Sequence, residues 1–295
     1  MVVEVYDLIQ KVSGELYIKA LKNVPSDVLA AIKSAYENEG SENGKMVLRT
    51  ILENIDVARQ HDMLVCQDTG TPVYCVMVGE DVDLNFGKLY KAISKGVSEV
   101  TKKYNLRPNM VDPLTRVSRG DNVGNRVPIV HVEYDERLIS SIRIVCVPKG
   151  SGSENQSFLR MLSPAEGLRG VVSFIIESVI TGINKACPPV IVGVGIGGTF
   201  DECAWLAKKA ATMRRIDVHH PDPKIRVLEE KLLKSINETG IGPMGLGGRI
   251  TALAVNVEVA DTHISQLPVA VNTQCWKGQR AEAIISDGFE VRYIL

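Results

Sequence analysis

The stretch that says most about the fold is residues 186–199, which have the sequence ACPPVIVGVGIGGT. Residues 190–194 form a short apolar run rich in valine and isoleucine, which is typical of a buried strand. A glycine-rich turn follows, and the apolar positions of residues 201–216 then recur at helical spacing. The segment therefore predicts a strand that leads into a helix through a turn where the backbone can approach a ligand closely.

The same glycines formally match a dinucleotide-binding fingerprint. Gly193, Gly195 and Gly198 follow a strand and precede a helix, and Asp217 lies further on. Two features count against this interpretation: the Cys-Pro-Pro entry at residues 187–189, and the lack of a regular βαβ alternation around the segment. An NAD-dependent oxidoreductase is therefore a less favoured alternative.

On either side of this stretch, the pattern predicts a mixed α/β fold with a helical N-terminal segment, short mixed β-sheets surrounded by helices, and a β-rich C-terminal part. The chain has no internal repeat and no obvious linker, so we expect a single domain over residues 1–295. Predicted helices cover residues 2–12, 46–60, 89–100, 166–180, 201–216 and 224–237, and another begins at residues 25–27. Predicted strands cover residues 63–65, 73–78, 129–133, 142–147 and 190–194, and the strands at 129–133 and 142–147 are expected to be neighbours. Residues 283–289 predict a closing hairpin.

The composition is that of an ordinary soluble protein. The 295 residues are 45% hydrophobic and 23% charged, and the net charge is −1. Without a basic block, neither a nucleic-acid partner nor a membrane surface is indicated. The first residues do not resemble a signal peptide, and no apolar run approaches the ~18–20 residues that cross a bilayer. We therefore expect a cytoplasmic protein.

Six cysteines without a secretory signal are expected to be thiols, either buried, catalytic or metal-binding. Their spacing alone identifies no metal site, because the chain has no CxxC or HxxxH pair. Their contexts differ, however. Cys66, Cys187 and Cys275 lie in or beside turn-rich loops, whereas the other three, Cys75, Cys146 and Cys203, lie in apolar strands or on a helix and are expected in the core.

Four segments together resemble a known family: CQDTGT at 66–71, KGSGSEN at 149–155, ACPPVIVGVGIGGT at 186–199 and NTQC at 272–275. In order and spacing, from about residue 10 to 290, the chain resembles the α subunit or N-terminal domain of class I fumarases and L-tartrate dehydratases. The resemblance implies a [4Fe-4S] cluster held by Cys66, Cys187 and Cys275, with one iron open as a Lewis acid. The implied reaction is the reversible hydration of fumarate to (S)-malate, with the dehydration of L-tartrate to oxaloacetate as the alternative.

The resemblance also implies site residues and a partner. Asp68 and His263 are the implied catalytic residues, and the implied substrate-binding residues are Gln67, Asp68, Arg107, Gly152, Asn155, Gln156 and Ser157. Without the family, His263 would be a turn or surface residue, although Asp261 could orient it as an acid or base. The implied partner is a separate β subunit in an α₂β₂ assembly, because the chain offers one substrate arginine and no convincing base for a C–H proton. A metal-free structural subunit with all cysteines in the core is a third possibility.

Overall fold

The computed structural model describes residues 2–294, with side chains from residue 5 onward. The helices are α1 (Val2–Lys22), α2 (Ser26–Asn38), α3 (Glu42–Gln60), α4 (Phe86–Lys103), α5 (Ser151–Glu154), α6 (Gly167–Gly182), α7 (Phe200–Thr212) and α8 (Pro223–Asn237). The strands are β1 (Thr71–Val78), β2 (Ile129–Tyr134), β3 (Ile142–Lys149), β4 (Phe158–Leu162), β5 (Val190–Ile196), β6 (Ala252–Val259), β7 (Leu267–Gln274), β8 (Ala281–Ile285) and β9 (Val291–Ile294). The predicted mixed α/β class is confirmed.

The chain divides into two compact units. Unit 1 comprises residues 1–25, 58–150 and 279–295, and unit 2 comprises residues 26–57 and 151–278. The single α-subunit domain expected over residues 1–295 stays a prediction. In the part of the chain that the structure describes, no helix is both long enough and apolar enough to cross a membrane.

Unit 1 is built on a five-stranded mixed sheet with the order β2-β1-β3-β8-β9. β1 runs parallel to β2 and antiparallel to β3, and residues 72–76 of β1 are all buried, as expected for a central strand covered on both faces. Helices α1 and α4 contribute Tyr17, Leu89 and Ile93 to the same core as Tyr74 and Ile144. The core therefore holds the start of β1 and the end of β3 on a rigid support.

Unit 2 is built on a four-stranded sheet with the order β4-β7-β5-β6. β5 runs parallel to β6 and antiparallel to β7. The glycines of β5 allow α7 to pack closely, because a Cβ on Gly193 would lie 2.2 Å from the Ala207 carbonyl oxygen, and a Cβ on Gly195 would lie 2.2 Å from that of Cys203. Two glycines of the apparent dinucleotide fingerprint are thus explained by helix–strand packing.

A buried carboxylate in unit 2 fixes the segment that follows the glycine-rich loop at residues 240–248. Glu39, which is 2% exposed, accepts backbone N–H groups of Ser41, Arg249 and Ile250, each at 2.9 Å. Burial pushes the pKa of Glu39 up, but these donors outweigh it and lower the pKa below its ordinary value. The ionised carboxylate is therefore part of the folded structure.

Several predicted elements differ from the structure. Residues 63–65 do not form a strand; the Val65 N–H instead donates to the Leu21 carbonyl at 3.1 Å. The strands predicted as neighbours, β2 and β3, are separated by β1. Strands β4 and β7 were not predicted, and they pair with each other as an antiparallel ladder. In each case the outcome depends on pairing between distant segments, which local periodicity does not report.

Candidate active site

The thiols fall into two groups that match the sequence prediction. Cys187 is exposed and Cys66 and Cys275 are partly exposed, whereas Cys75, Cys146 and Cys203 are fully buried. Burial raises the pKa of Cys146 and of Cys203 to about 12, so both stay protonated at neutral pH. The three cysteines predicted to be core thiols are confirmed as such, and the three loop thiols are the ones that a metal centre could use.

In unit 1, the loop before β1 places Cys66, Gln67 and Asp68 in sequence. The Gln67 side chain is exposed, and Cys66 and Asp68 are half-buried. One carboxylate oxygen of Asp68, Oδ1, accepts the Gly70 backbone N–H at 2.9 Å, which closes a tight turn that ends at Thr71, the first residue of β1. The carboxylate is therefore oriented by its own loop.

A second segment of unit 1 is tied to this loop through Asn109. Its Nδ2 group donates to Asp68 Oδ1 at 3.1 Å and to Thr69 Oγ1 at 2.7 Å. Thr69 Oγ1 in turn donates to the Arg107 carbonyl at 2.8 Å. The structure thus brings together the backbone segments of two predicted site residues, Asp68 and Arg107, and leaves the Arg107 side chain exposed.

The buried side chain of Tyr17 also supports this loop. Tyr17 of α1 donates its hydroxyl to the Thr69 carbonyl at 2.9 Å, and burial raises the Tyr17 pKa well above its usual value. Tyr17 is therefore a neutral donor throughout the physiological pH range. Sequence reasoning found neither Tyr17 nor Asn109; the position of Asn109 two residues after Arg107 was the available signal.

In unit 2, the segments of Cys187 and Cys275 lie together. The Trp276 N–H donates to the Cys187 carbonyl at 3.4 Å, and the Met244 N–H donates to the Pro188 carbonyl at 2.8 Å. Cys187 has a φ of 56°, a left-handed conformation that is unfavourable for a residue with a side chain. Backbone strain of this kind is concentrated at functional sites, where the surrounding structure enforces it.

The predicted carboxylate-binding loop also lies in unit 2, around α5. Gly152 and Asn155 are exposed, and Gln156 packs against the backbone of Gly182. Ser157 donates to the Glu154 carbonyl at 2.7 Å and accepts Asn272 Nδ2 at 2.7 Å. Of these predicted residues, Gly152, Asn155 and Ser157 are exposed and Gln156 is half-buried.

His263 lies in an exposed turn of unit 2 between β6 and β7. Its Nδ1 accepts the backbone N–H of Ser265 at 3.2 Å and lies 2.8 Å from Ser265 Oγ. Because Nδ1 accepts a backbone donor, the neutral ring carries its proton on Nε2. The partner of the ring is therefore Ser265, and not Asp261 as the sequence suggested.

Among the side chains that the structure describes, those of residues 5–294, no three His, Cys, Asp or Glu lie close enough together to hold a single metal ion. Of the eight predicted site residues other than cysteine, three lie in unit 1 (Gln67, Asp68 and Arg107) and five lie in unit 2 (Gly152, Asn155, Gln156, Ser157 and His263), while Cys66 lies in unit 1 and Cys187 and Cys275 lie in unit 2.

Comparison with known proteins defines the class. The sequence model of the fumarate hydratase (Fumerase) family matches residues 10–284. This chain belongs to the fumarate hydratase family, a family of hydro-lyases. Among its relatives are the putative L(+)-tartrate dehydratase subunit alpha of Methanocaldococcus jannaschii, 43% identical over 92% of this chain and 96% of the relative, and the L(+)-tartrate dehydratase subunit alpha of Escherichia coli K12, 35% identical over 89% and 86%.

Proposed function

We propose that this chain is the α subunit of an iron–sulfur hydro-lyase that hydrates fumarate reversibly to (S)-malate. The observation that carries the proposal is the division of the cysteines in a chain that belongs to the fumarate hydratase family. The three thiols at the motif positions are accessible, whereas the three thiols outside the motifs are buried. A hydro-lyase with a cluster bound by three thiolates requires three thiols that iron can reach.

The donor set fits a [4Fe-4S] cluster held by Cys66, Cys187 and Cys275. Thiolates are the usual ligands of such clusters, and burial raises the pKa of two thiols outside the motifs, Cys146 and Cys203, which makes those two poor ligands. When bound, the cluster supplies an iron with an open coordination position, which acts as a Lewis acid toward the substrate hydroxyl group. The left-handed backbone at Cys187 supports this assignment, because it turns the loop at the thiol itself.

Asp68 and Arg107 are the groups that we propose bind and orient the substrate in unit 1. Asp68 Oδ1 accepts the Gly70 and Asn109 donors, which orient the carboxylate that we propose faces the substrate. The exposed Arg107 guanidinium offers a planar fork for one carboxylate, and its backbone is anchored by Thr69. Gln67 adds an accessible amide beside Asp68.

In unit 2 we propose that Gly152, Asn155, Gln156 and Ser157 provide a carboxylate-binding loop and that His263 is an acid or base. Loop N–H groups near an accessible glycine suit a carboxylate. The Nε2–H of His263 is the proton that the ring would donate, since Nδ1 is engaged with Ser265. These roles stay proposals carried by the motif positions.

A separate β subunit is the proposed partner, in an α₂β₂ assembly. The relatives named above are themselves called α subunits, and this chain covers 86–96% of their length. Ile264, next to His263, is 90% exposed, and a partner that covers this turn would bury it and exclude water from the site. A second subunit would also supply the positive charge that one arginine cannot provide for a dianion.

L(+)-tartrate dehydration is the second candidate, favoured by the names of the two relatives. The two reactions use the same cluster chemistry, and they differ by a hydroxyl group on the second substrate carbon. The contacts that discriminate between them are among those that the partner would provide.

The test is to purify both subunits together under anaerobic conditions, determine iron and sulfide, and assay fumarate, (S)-malate and each tartrate isomer. We expect iron and sulfide in the ratio of a four-iron cluster, and turnover of fumarate that exceeds turnover of tartrate. Preferential turnover of L(+)-tartrate would select the second candidate. A protein that retains its cluster and hydrates or dehydrates none of these acids would refute the hydro-lyase proposal.

A further inference from the structure

Gln279 is a buried side chain whose hydrogen-bonding groups are unused. It is 1% exposed, and neither Nε2 nor Oε1 has a hydrogen-bond partner among the described residues. Buried amides in folded proteins are almost always paired, because an unpaired one loses its interaction with water and gains nothing in return. An unpaired donor and acceptor at one position therefore point to a group that is bound there.

The amide lies beside Asp68 in unit 1. Gln279 follows the turn in which the Gly278 N–H donates to the Cys275 carbonyl at 3.0 Å, and β8 starts two residues later. A Cβ placed on Gly150 would lie 3.9 Å from Gln279 Nε2 and 3.3 Å from Asp68 Oδ2. The amide nitrogen and the carboxylate oxygen thus face the same position next to Gly150.

Gly150 leaves that position without a side chain. Its φ lies outside the left-handed region that favours glycine, so its backbone could carry an L side chain without strain. The absence of a side chain is therefore better explained by the space that it provides than by the conformation of the chain. The space is bordered by a hydrogen-bond acceptor, Asp68 Oδ2, and a donor, Gln279 Nε2.

A hydroxyl group has the hydrogen-bonding groups that match these two partners. It can donate its proton to the Asp68 carboxylate and accept the Gln279 N–H with one lone pair, which leaves the other lone pair for the iron of the cluster, whereas a second carboxylate would be repelled by Asp68. We propose, on the basis of the hydro-lyase function above, that Gln279 is a substrate-binding residue that recognises a hydroxyl group of the hydroxy-dicarboxylate, held jointly with Asp68 next to Gly150. Gln279 then favours the hydroxy acid over an analogue that lacks this hydroxyl.

The deciding variant is Gln279→Met, which keeps the length of the side chain and removes both unpaired polar atoms. Since these atoms have no protein partner, the free protein should be as stable as wild type or more stable. The matched control is Ser94→Ala, because Ser94 Oγ on α4 is also buried and unpaired. A merely structural amide would make the two variants behave alike.

The experiment uses the two-subunit enzyme with its cluster loaded. It measures iron content, the thermal midpoint of unfolding, and the binding or inhibition constants for two acids. These are (S)-malate and succinate, which lacks the hydroxyl group. In Gln279→Met we expect full iron content, a binding constant for malate weakened by about 10-fold, and one for succinate changed by less than about 2-fold. Ser94→Ala should bind both acids as wild type does.

A second variant addresses the space itself. Gly150→Ala places a methyl group at the shared position, so it should also weaken malate more than succinate. If Gln279→Met binds both acids as wild type does, or loses affinity for both equally, the assignment is wrong and the amide is paired with water or is structural. Failure of wild type to turn over any hydroxy-dicarboxylate would overturn the proposed function instead, and this assignment with it.

Discussion

Replacing Asn109 by alanine removes the side chain that ties together the two segments of unit 1 that we propose bind the substrate. The amide donates to Asp68 Oδ1 at 3.1 Å and to Thr69 Oγ1 at 2.7 Å, and the variant would keep the hydrogen bond from the Gly70 N–H to Asp68 Oδ1. A hydrogen bond to a charged group contributes about 1.5–3 kcal/mol and a neutral one about 0.5–1.5 kcal/mol. Because Asn109 is half-buried, we expect the free energy of unfolding to fall by only about 1–2 kcal/mol.

Turnover should fall more than stability does. Asp68 would remain in the site with one oxygen less firmly held, and a misplacement on the order of 1 Å can lower a rate by about 100-fold. We therefore expect kcat to fall by about 10- to 100-fold with the iron content unchanged. The assay is initial-rate kinetics of the anaerobic two-subunit enzyme, combined with urea unfolding and iron analysis.

The control for this experiment is Asn125→Ala, in the same long loop and exposed to solvent. It should leave stability, iron content and kcat unchanged. A wild-type kcat in Asn109→Ala would refute the reasoning, because it would mean that the orientation of Asp68 does not limit the reaction.

The remaining predictions concern the cluster ligands, the histidine and the pH dependence of folding. Cys187→Ser should lose most of the iron. The control Cys203→Ser, which replaces a buried thiol, should keep its iron and change stability alone. Full iron content in Cys187→Ser would exclude Cys187 as a ligand. His263→Asn should keep the cluster and lower kcat by about 100-fold. The control His61→Asn, at an exposed histidine, should leave kcat unchanged. Equal kcat values for the two variants would place His263 outside the site. Glu39 has a lowered folded pKa, so its stabilising effect is present above the unfolded value of 4.5 and is lost as the pH falls through the folded pKa. Urea unfolding from pH 7 to 3 should show this loss in wild type and a smaller one in Glu39→Gln, and identical pH profiles would contradict it.

The parts of the fold that follow from local chemistry were predictable. The α4 helix and the β5 strand appear where apolar periodicity places them, and the closing hairpin of β8 and β9 surrounds the Asp-Gly turn at residues 287–288. The order of the sheets was not predictable. β1 separates β2 from β3 because β1 pairs with both, and no signal within either neighbour reports this pairing.

The same distinction holds for the site. Cys66, Cys187 and Cys275 could be separated from the core thiols because strands and loops differ in their sequences, and burial agrees with that separation. The residues that orient the proposed site could not be found in this way. Asn109 contacts Asp68 across 41 positions of the chain, so that only the folded structure brings the two together. Motif positions indicate the groups that we propose for the chemistry, and the tertiary structure shows which residues orient them.

The glycines show why a motif alone does not decide between functions. A glycine is required where a ligand approaches the backbone and also where another element packs against it. Both requirements select the same residue type, so the sequence alone does not distinguish them. In β5 the distances favour packing, since a Cβ on Gly193 would meet the backbone of α7 at 2.2 Å. At Gly150 a Cβ would meet only side-chain groups, Asp68 Oδ2 at 3.3 Å and Gln279 Nε2 at 3.9 Å. Packing therefore explains the glycine of the apparent nucleotide motif, and ligand binding better explains the glycine beside Asp68.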